Sequence, residues 1–312
     1  MFDNTTYLKE VLETHRMCHV QKFVNKVVDR REEIKEIMSE AYGELIYPPF
    51  HSGSFAKHTA INIKFDFDLV IPFKHSAFNS LSEMFEDVYV LLSERYKEKD
   101  VTIRKQKVSI GLAFAIEDGD EWPVEIDVVP GRELNEDDYV KTGDLNLCFN
   151  EDIWGFQKGT RQKTNINDQI NHIKGKKTER KVIRLIKIWK KQHNKPYKSF
   201  LIELAVIKAL DGYNGNQNLW SQLKHSMEYL RDNITDSSFH LYDPGNSNND
   251  VVSAMSDNDK YSFKNDLDIL LRNIENNSEC YLPYYFKKNE KYAGYENSIN
   301  GIIAPINPVR FG

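Results

Sequence analysis

The chain has 312 residues, 40% of them hydrophobic and 12% aromatic, which is too much apolar material for a disordered protein and enough for one large core or two smaller ones. A formal net charge of −5 argues against an obligate nucleic-acid binder, which ordinarily carries a basic surplus for phosphate contacts. No apolar run reaches the roughly 18–20 residues a membrane helix needs, "MFDNTTYLKEVLETHR" lacks a secretory pattern, and Cys18, Cys148 and Cys280 are too few and too scattered for a disulfide framework, so the expectation is a cytoplasmic protein with no membrane contact.

Residues 5–43 read as one long helix. Leu8, Val11, Leu12, Val20, Phe23, Val24, Val27, Val28, Ile34, Ile37 and Met38 recur at three- and four-residue steps, and Gly43 with "YPPF" (47–50) ends the run. A strand follows at 66–73, then a helix near 78–97 with Leu81, Phe85, Val88, Leu91 and Leu92 on one face. "VTIRKQKVSIGLAFAI" (101–116) alternates as one or two strands, and "WPVEIDVVPG" (122–131) is a β-branched run closed by Pro-Gly. Beyond about residue 150 the pattern is helical, at 178–194, 197–210, 216–235 and 259–276, with a polar turn-rich loop at 242–253. From 289 onward the chain reads as an extended tail.

The stretch "GSFAKHTAINIKFDFDLVIPF" (53–73) carries the chemistry. In a strand, residues i and i+2 share a face, so Asp66 and Asp68 point one way while Phe67, Leu69 and Ile71 point the other. "VEIDVVP" repeats the pattern with Glu125 and Asp127. If the two strands are neighbours, three or four carboxylates converge on one side of a sheet. Like charges so placed raise each other's pKa, and a divalent cation relieves them. Mg²⁺ takes a few carboxylate oxygens together with substrate phosphates, and two such ions support an in-line phosphoryl displacement. Gly53 lets backbone approach a phosphate, and Ser54 offers a hydroxyl and an N–H. The plain alternative for each piece alone is a surface turn leading into a buried strand.

Taken together, Gly53, Ser54, Thr59, Ala60 and Ile61, then Asp66, Asp68, Leu69 and Val70, then Ile126, Asp127, Val128, Val129 and Pro130 resemble the polymerase-β-like nucleotidyltransferases. The resemblance is strongest to the cGAS/DncV-like branch (CD-NTases), kin to oligoadenylate synthetases, and covers about residues 20–275. His58 departs from it, standing where many relatives have glycine. The fold it implies is α+β: a nucleotidyltransferase core at 1–150 with a mixed sheet, flanking helices and a long N-terminal helix, a helical domain at 151–288, and a flexible tail at 289–312. By the same resemblance, Asp66, Asp68 and Asp127 are the catalytic metal ligands, with Glu125 in reserve, for two Mg²⁺ ions that Mn²⁺ can replace.

On "TERKVIRLIKIWKKQ", Val182, Leu185, Ile186 and Trp189 form a buried stripe, while Arg180, Arg184, Lys187 and Lys191 share another face. Pattern alone allows a solvated cationic face. The resemblance implies that Lys187 and Ser199, with Gly53 and Ser54, hold a donor triphosphate and that Phe200 stacks on a nucleobase; a plain core phenylalanine is the other reading. "DPGNSNND" resembles a turn found late in this family that buttresses the site. "HRMCH" (15–19) has zinc-like spacing, but lacks further ligands nearby and reads as structural.

The activity implied is joining NTPs, ATP or GTP foremost, into a cyclic di- or trinucleotide messenger in anti-phage (CBASS) defence, with release of pyrophosphate. A linear oligonucleotide synthetase and a tRNA- or protein-tagging transferase are the alternatives within the superfamily. An inactive antitoxin or binding module is the alternative outside catalysis. The C-terminal Gly312 resembles residues that an E1/E2-like partner conjugates in relatives.

Overall fold

Hydrophobic residues sort the chain into two large interiors, one built around a sheet and one mainly helical. The computed structural model describes residues 2–64, 66–117, 119–150 and 161–294, with backbone only for Arg161. In the first half the helices are α1 (Asn4–Thr14), α2 (Gln21–Tyr42), the single turn α3 (Gly53–Ala56), α4 (Leu81–Arg95) and the short α5 (Tyr139–Thr142). The strands are β1 (Phe50–Ser52), β2 (Phe67–Phe73), β3 (Val101–Lys105), β4 (Ile110–Phe114), β5 (Glu125–Glu133), β6 (Leu145–Cys148) and β7 (Arg161–Thr164). They form one sheet in the order β1-β2-β5-β4-β3, with β6 pairing β5 and β7 pairing β6. Only β2 and β5 run parallel; every other pair is antiparallel.

One face of this sheet is covered by α2 and α4. Phe67, Leu69, Ile71, Ile126 and Val128 pack there against Val24, Val27, Ile34, Phe85 and Val88. On the opposite face a smaller cluster of Val70, Val129, Leu145, Leu147 and Ile166 closes only the far end. The near end of that face, where Asp66, Asp68 and Asp127 sit, borders a cavity.

The second half supplies α6 (Ile166–Ile173), α7 (Lys177–Gln192), α8 (Ser199–Leu210), α9 (Leu219–Asn233), the hairpin β8 (Tyr242–Asp243) and β9 (Asn246–Asp250), α10 (Asp257–Asn276) and α11 (Ser278–Tyr285). Val182, Leu185, Ile186 and Trp189 of α7 are all buried, as the stripe predicts, together with Ile183 and Ile188. Among the described residues no helix is long and apolar enough to cross a membrane.

The helix expected over 5–43 is two helices. Its apolar periodicity continues past residue 15, yet α1 stops at Thr14 and Arg16 is extended (ψ 142°) before a 3₁₀ turn at Met17–Val20. Asn62 accounts for the break. Its side-chain amide donates to the carbonyls of Thr14 (3.0 Å) and Arg16 (3.2 Å), and its backbone N–H donates to that of His15 (3.3 Å). Carbonyls left without helical partners are thereby satisfied. The apolar side of α1 joins the helical interior, while that of α2 joins the sheet's.

Two further differences concern the second half. The 242–253 loop is a hairpin whose buried Asp243 accepts from Gly245 N (2.8 Å) and Gln169 Nε2 (3.0 Å), so it braces α6 and does not border the cavity. Gly245 is needed there, since a Cβ would lie 2.4 Å from the Asn165 carbonyl. The expected tail begins as a packed 3₁₀ turn, Glu290–Tyr292, with Tyr292 buried and Asn289 donating to Thr14 Oγ1 and Asn62 Oδ1. Residues 295–312, including Gly312, lie outside the described residues.

Candidate active site

The acidic wall follows from strand register. Parallel pairing sets Asp68 of β2 opposite Asp127 of β5, and Asp66 stands two residues upstream, just outside the strand. All three line a cavity of about 520 Å³. Two glycines make room for them. Gly53, with φ at +67°, backs directly onto Asp68: a Cβ there would lie 1.8 Å from Oδ2. Gly111 of β4 is the register partner of Asp127 on its other side, leaving space for Gln106, whose Nε2 donates to Asp127 Oδ1 at 2.8 Å.

Burial, followed by the charges of Asp127 and Asp66, pushes the Asp68 carboxyl up to about 6. Burial and the Asp66 charge likewise raise Asp127, against the Gln106 hydrogen bond and the Arg104 charge. An arrangement this repulsive is suited to a bound cation. Among the described residues no group of three or more His, Cys, Asp or Glu side chains is already gathered closely enough to hold a metal ion. The carboxylates instead face open cavity, as befits Mg²⁺, which keeps positions for water and substrate phosphate. The donor set, hard oxygens only, fits that ion. Glu125 does not line this cavity: it is exposed, lies 3.8 Å from Arg104, and borders an adjoining cleft of about 200 Å³, beside Trp122 and Phe23, that shares Asp66, Lys64 and Lys191 with the cavity.

Facing the acids is a basic wall. Lys187, Lys190 and Lys191 of α7 and Ser199 and Phe200 at the start of α8 line the same cavity. Lys187 donates to the Thr59 carbonyl at 2.8 Å, and burial pushes its ammonium down to about 8 despite the opposing Glu203 and Asp66 charges. Lys190 donates to Ser199 Oγ at 3.0 Å. Phe200 is half-buried, with Lys57 Nζ 4.6 Å from its ring centroid. The predicted cationic stripe divides: Arg184 faces a different cavity, beside Arg16 and Lys181, and Arg180 lines neither.

Of the residues singled out in the sequence for metal or nucleotide, Gly53, Ser54, Asp66, Asp68, Asp127, Lys187, Ser199 and Phe200 meet in one cavity, and the reserve ligand Glu125 does not line it. Sequence reasoning missed Lys57, Lys190, Glu203 and Gln106. Lys190 stands three residues from Lys187, a helical spacing that could have found it. Lys57 lies inside the quoted motif; for Gln106 no local signal existed. His58 occupies the left-handed region (φ +57°), which explains why glycine suits that position and places on this chain a cost of order 1 kcal/mol. His15 and His19 each contact a backbone carbonyl at the end of α1, those of Val11 (2.8 Å) and Glu13 (2.9 Å).

No family model and no curated protein matches the sequence. Solved structures do match the fold. CdnC from E. coli MS115-1, solved with ATP, superposes with a TM-score of 0.66 at 16% identity over 89% of this chain and 96% of that one. The same enzyme in complex with HORMA-deltaN gives 0.63 at 18% identity, covering 84% of this chain and 90% of that one. The Vibrio cholerae cyclic AMP-GMP synthase DncV, with the linear intermediate pppA(3′,5′)pG, gives 0.58 at 16% identity over 73% of this chain and 62% of that one. The fold is that of CdnC and DncV. Within it, the acidic wall belongs to the mixed sheet and the basic wall to the helical half, so the cavity lies where the two interiors meet.

Proposed function

We propose that this chain is a metal-dependent nucleotidyltransferase that joins NTPs, releasing pyrophosphate, into a cyclic di- or trinucleotide messenger of anti-phage defence. The observation that carries the reading is the register-paired Asp68 and Asp127, with Asp66, opposing Lys187, Lys190 and Ser199 across one cavity. The neighbours solved with ATP and with pppA(3′,5′)pG support NTPs as substrates and a stepwise route through a linear intermediate. The HORMA-deltaN complex of CdnC supports a protein partner for the same scaffold.

Asp66 and Asp68 would hold two Mg²⁺ ions, for which Mn²⁺ can substitute, with Asp127 as the ligand on the acceptor side. Bound Mg²⁺ supplies charge neutralisation and polarisation of the reacting phosphate. The chain's own contribution is positioning. Ser54, Lys187, Lys190 and Ser199 grip the donor triphosphate, and Phe200 offers a ring face to its base. Register pairing fixes Asp127 beside Asp68, so an acceptor hydroxyl held near Asp127 is brought in line with the donor's α-phosphate.

The test is incubation with all four labelled NTPs and Mg²⁺ or Mn²⁺, then phosphatase treatment and mass spectrometry. A phosphatase-resistant oligonucleotide is expected from the native chain. None is expected from Asp66→Asn/Asp68→Asn, which should melt as a folded protein. Product from that double variant, or no NTP turnover by the native chain, sinks the reading.

A further inference from the structure

Among the residues lining the cavity is an ion pair to which neither the metal-binding nor the phosphate-binding role proposed above is assigned. Lys57 Nζ donates to Glu203 Oε1 at 2.8 Å, with both side chains only 7% exposed. Lys57 caps the C-terminal end of α3, the turn that begins with Gly53 and Ser54. Glu203 sits on α8 one turn after Ser199 and Phe200, and the same ammonium lies over the Phe200 ring. Residues three apart on a helix share a face, so Lys57 engages α8 at two adjacent points.

We propose that the Lys57–Glu203 pair is a positioning clamp: it holds the serine turn of the sheet half and the nucleotide-facing end of α8 at the separation that one bound NTP spans. This rests on the nucleotidyltransferase reading and deepens it by assigning to two charged residues of the cavity lining the pre-organisation of the donor subsite. The Glu203 carboxylate also favours the charged form of Lys187 on the same wall. A buried pair need not exist for stability, because well-packed apolar replacements are commonly neutral or stabilising. Its place between the two walls of a nucleotide-sized cavity is what points to substrate.

The experiment compares the native chain with Lys57→Met/Glu203→Leu, which removes both charges and leaves neither one stranded. Thermal melting, kcat and KM for ATP, and Kd for a fluorescent ATP analogue are measured. The double variant is expected to melt like the native chain, with KM and Kd raised roughly tenfold or more and kcat changed less, as misplacement of binding groups predicts. Should it not fold, Glu203→Gln, of equal shape, is expected to raise KM in the same direction. A folded variant with native KM and Kd overturns the clamp while leaving the enzyme reading intact. A native chain that neither binds nor turns over NTPs overturns both.

Discussion

The two walls of the cavity are built by different means. Backbone sets the acidic wall: a parallel strand pair fixes Asp68 against Asp127, and Gly53 and Gly111 clear the volume around them. Side chains reaching across the molecule set the basic wall, Lys187 to the Thr59 carbonyl and Lys57 to Glu203. A wall set by hydrogen-bonded strands tolerates little displacement, whereas one set by long side chains can adjust to what it grips. The first suits ligands whose spacing matters at the level of tenths of an ångström, the second a flexible triphosphate.

Gly53→Ala is the sharpest way to break this contrast. The new methyl group would collide with Asp68 Oδ2 on a backbone already at positive φ, so the acid must move. A loss of roughly a hundredfold or more in kcat is expected, measured by pyrophosphate release; near-native turnover would show that the acidic wall is not rigid. On the basic wall, Lys187→Met is expected to cost roughly ten- to a hundredfold in kcat/KM, the worth of one charge-assisted hydrogen bond. The Lys187 ammonium is charged below about 8 and neutral above. Native kcat/KM should therefore fall as pH rises through that value, and Lys187→Arg should carry the fall to higher pH; identical profiles would exclude Lys187 as the titrating grip.

The smallest effect is on stability and has the opposite sign to the effect on activity. The folded-state pKa of Asp68, about 6, lies above its ordinary 3.8. The native state thus favours the protonated acid. The penalty for ionising it is absent below 3.8, grows as pH rises through that interval, and is complete above 6. Asp68→Asn removes this penalty, on the order of 1–3 kcal/mol. In metal-free neutral buffer the inactive variant should melt a few degrees above the native chain, and near pH 4 the two should converge. A variant melting lower at neutral pH would mean that the acids are not in mutual repulsion.

What could be read from the sequence follows the same division. Strand alternation placed Asp66, Asp68 and Asp127 on one face, because the period of two is a property of the backbone and the apolar partners Leu69, Ile71, Ile126 and Val128 leave no other register. The basic wall was legible only where motif or helical spacing announced it, at Lys187, Ser199 and Phe200. Lys57–Glu203 spans 146 residues of chain and Gln106–Asp127 joins the β3–β4 turn to β5, so no local pattern records either. The break after α1 was hidden for a related reason. No Gly or Pro marks it, and its cause, Asn62, sits beyond the end of α2. The cationic stripe on α7 was read as one face, yet Lys187 and Lys191 line one cavity, Arg184 another and Arg180 neither, because a stripe winding along a helix meets different neighbours at each turn.

That break has a consequence for how the molecule comes into being. α1 shares its interior with α7 through α11, while α2, α4 and most of the described segments between them pack on the sheet. During translation α1 must wait, its apolar side without a home, until those later helices emerge. Cutting the chain near residue 150 would not liberate two intact pieces: the rear fragment would lack its fastening strap, and the front fragment would trail a greasy, unmatched leader.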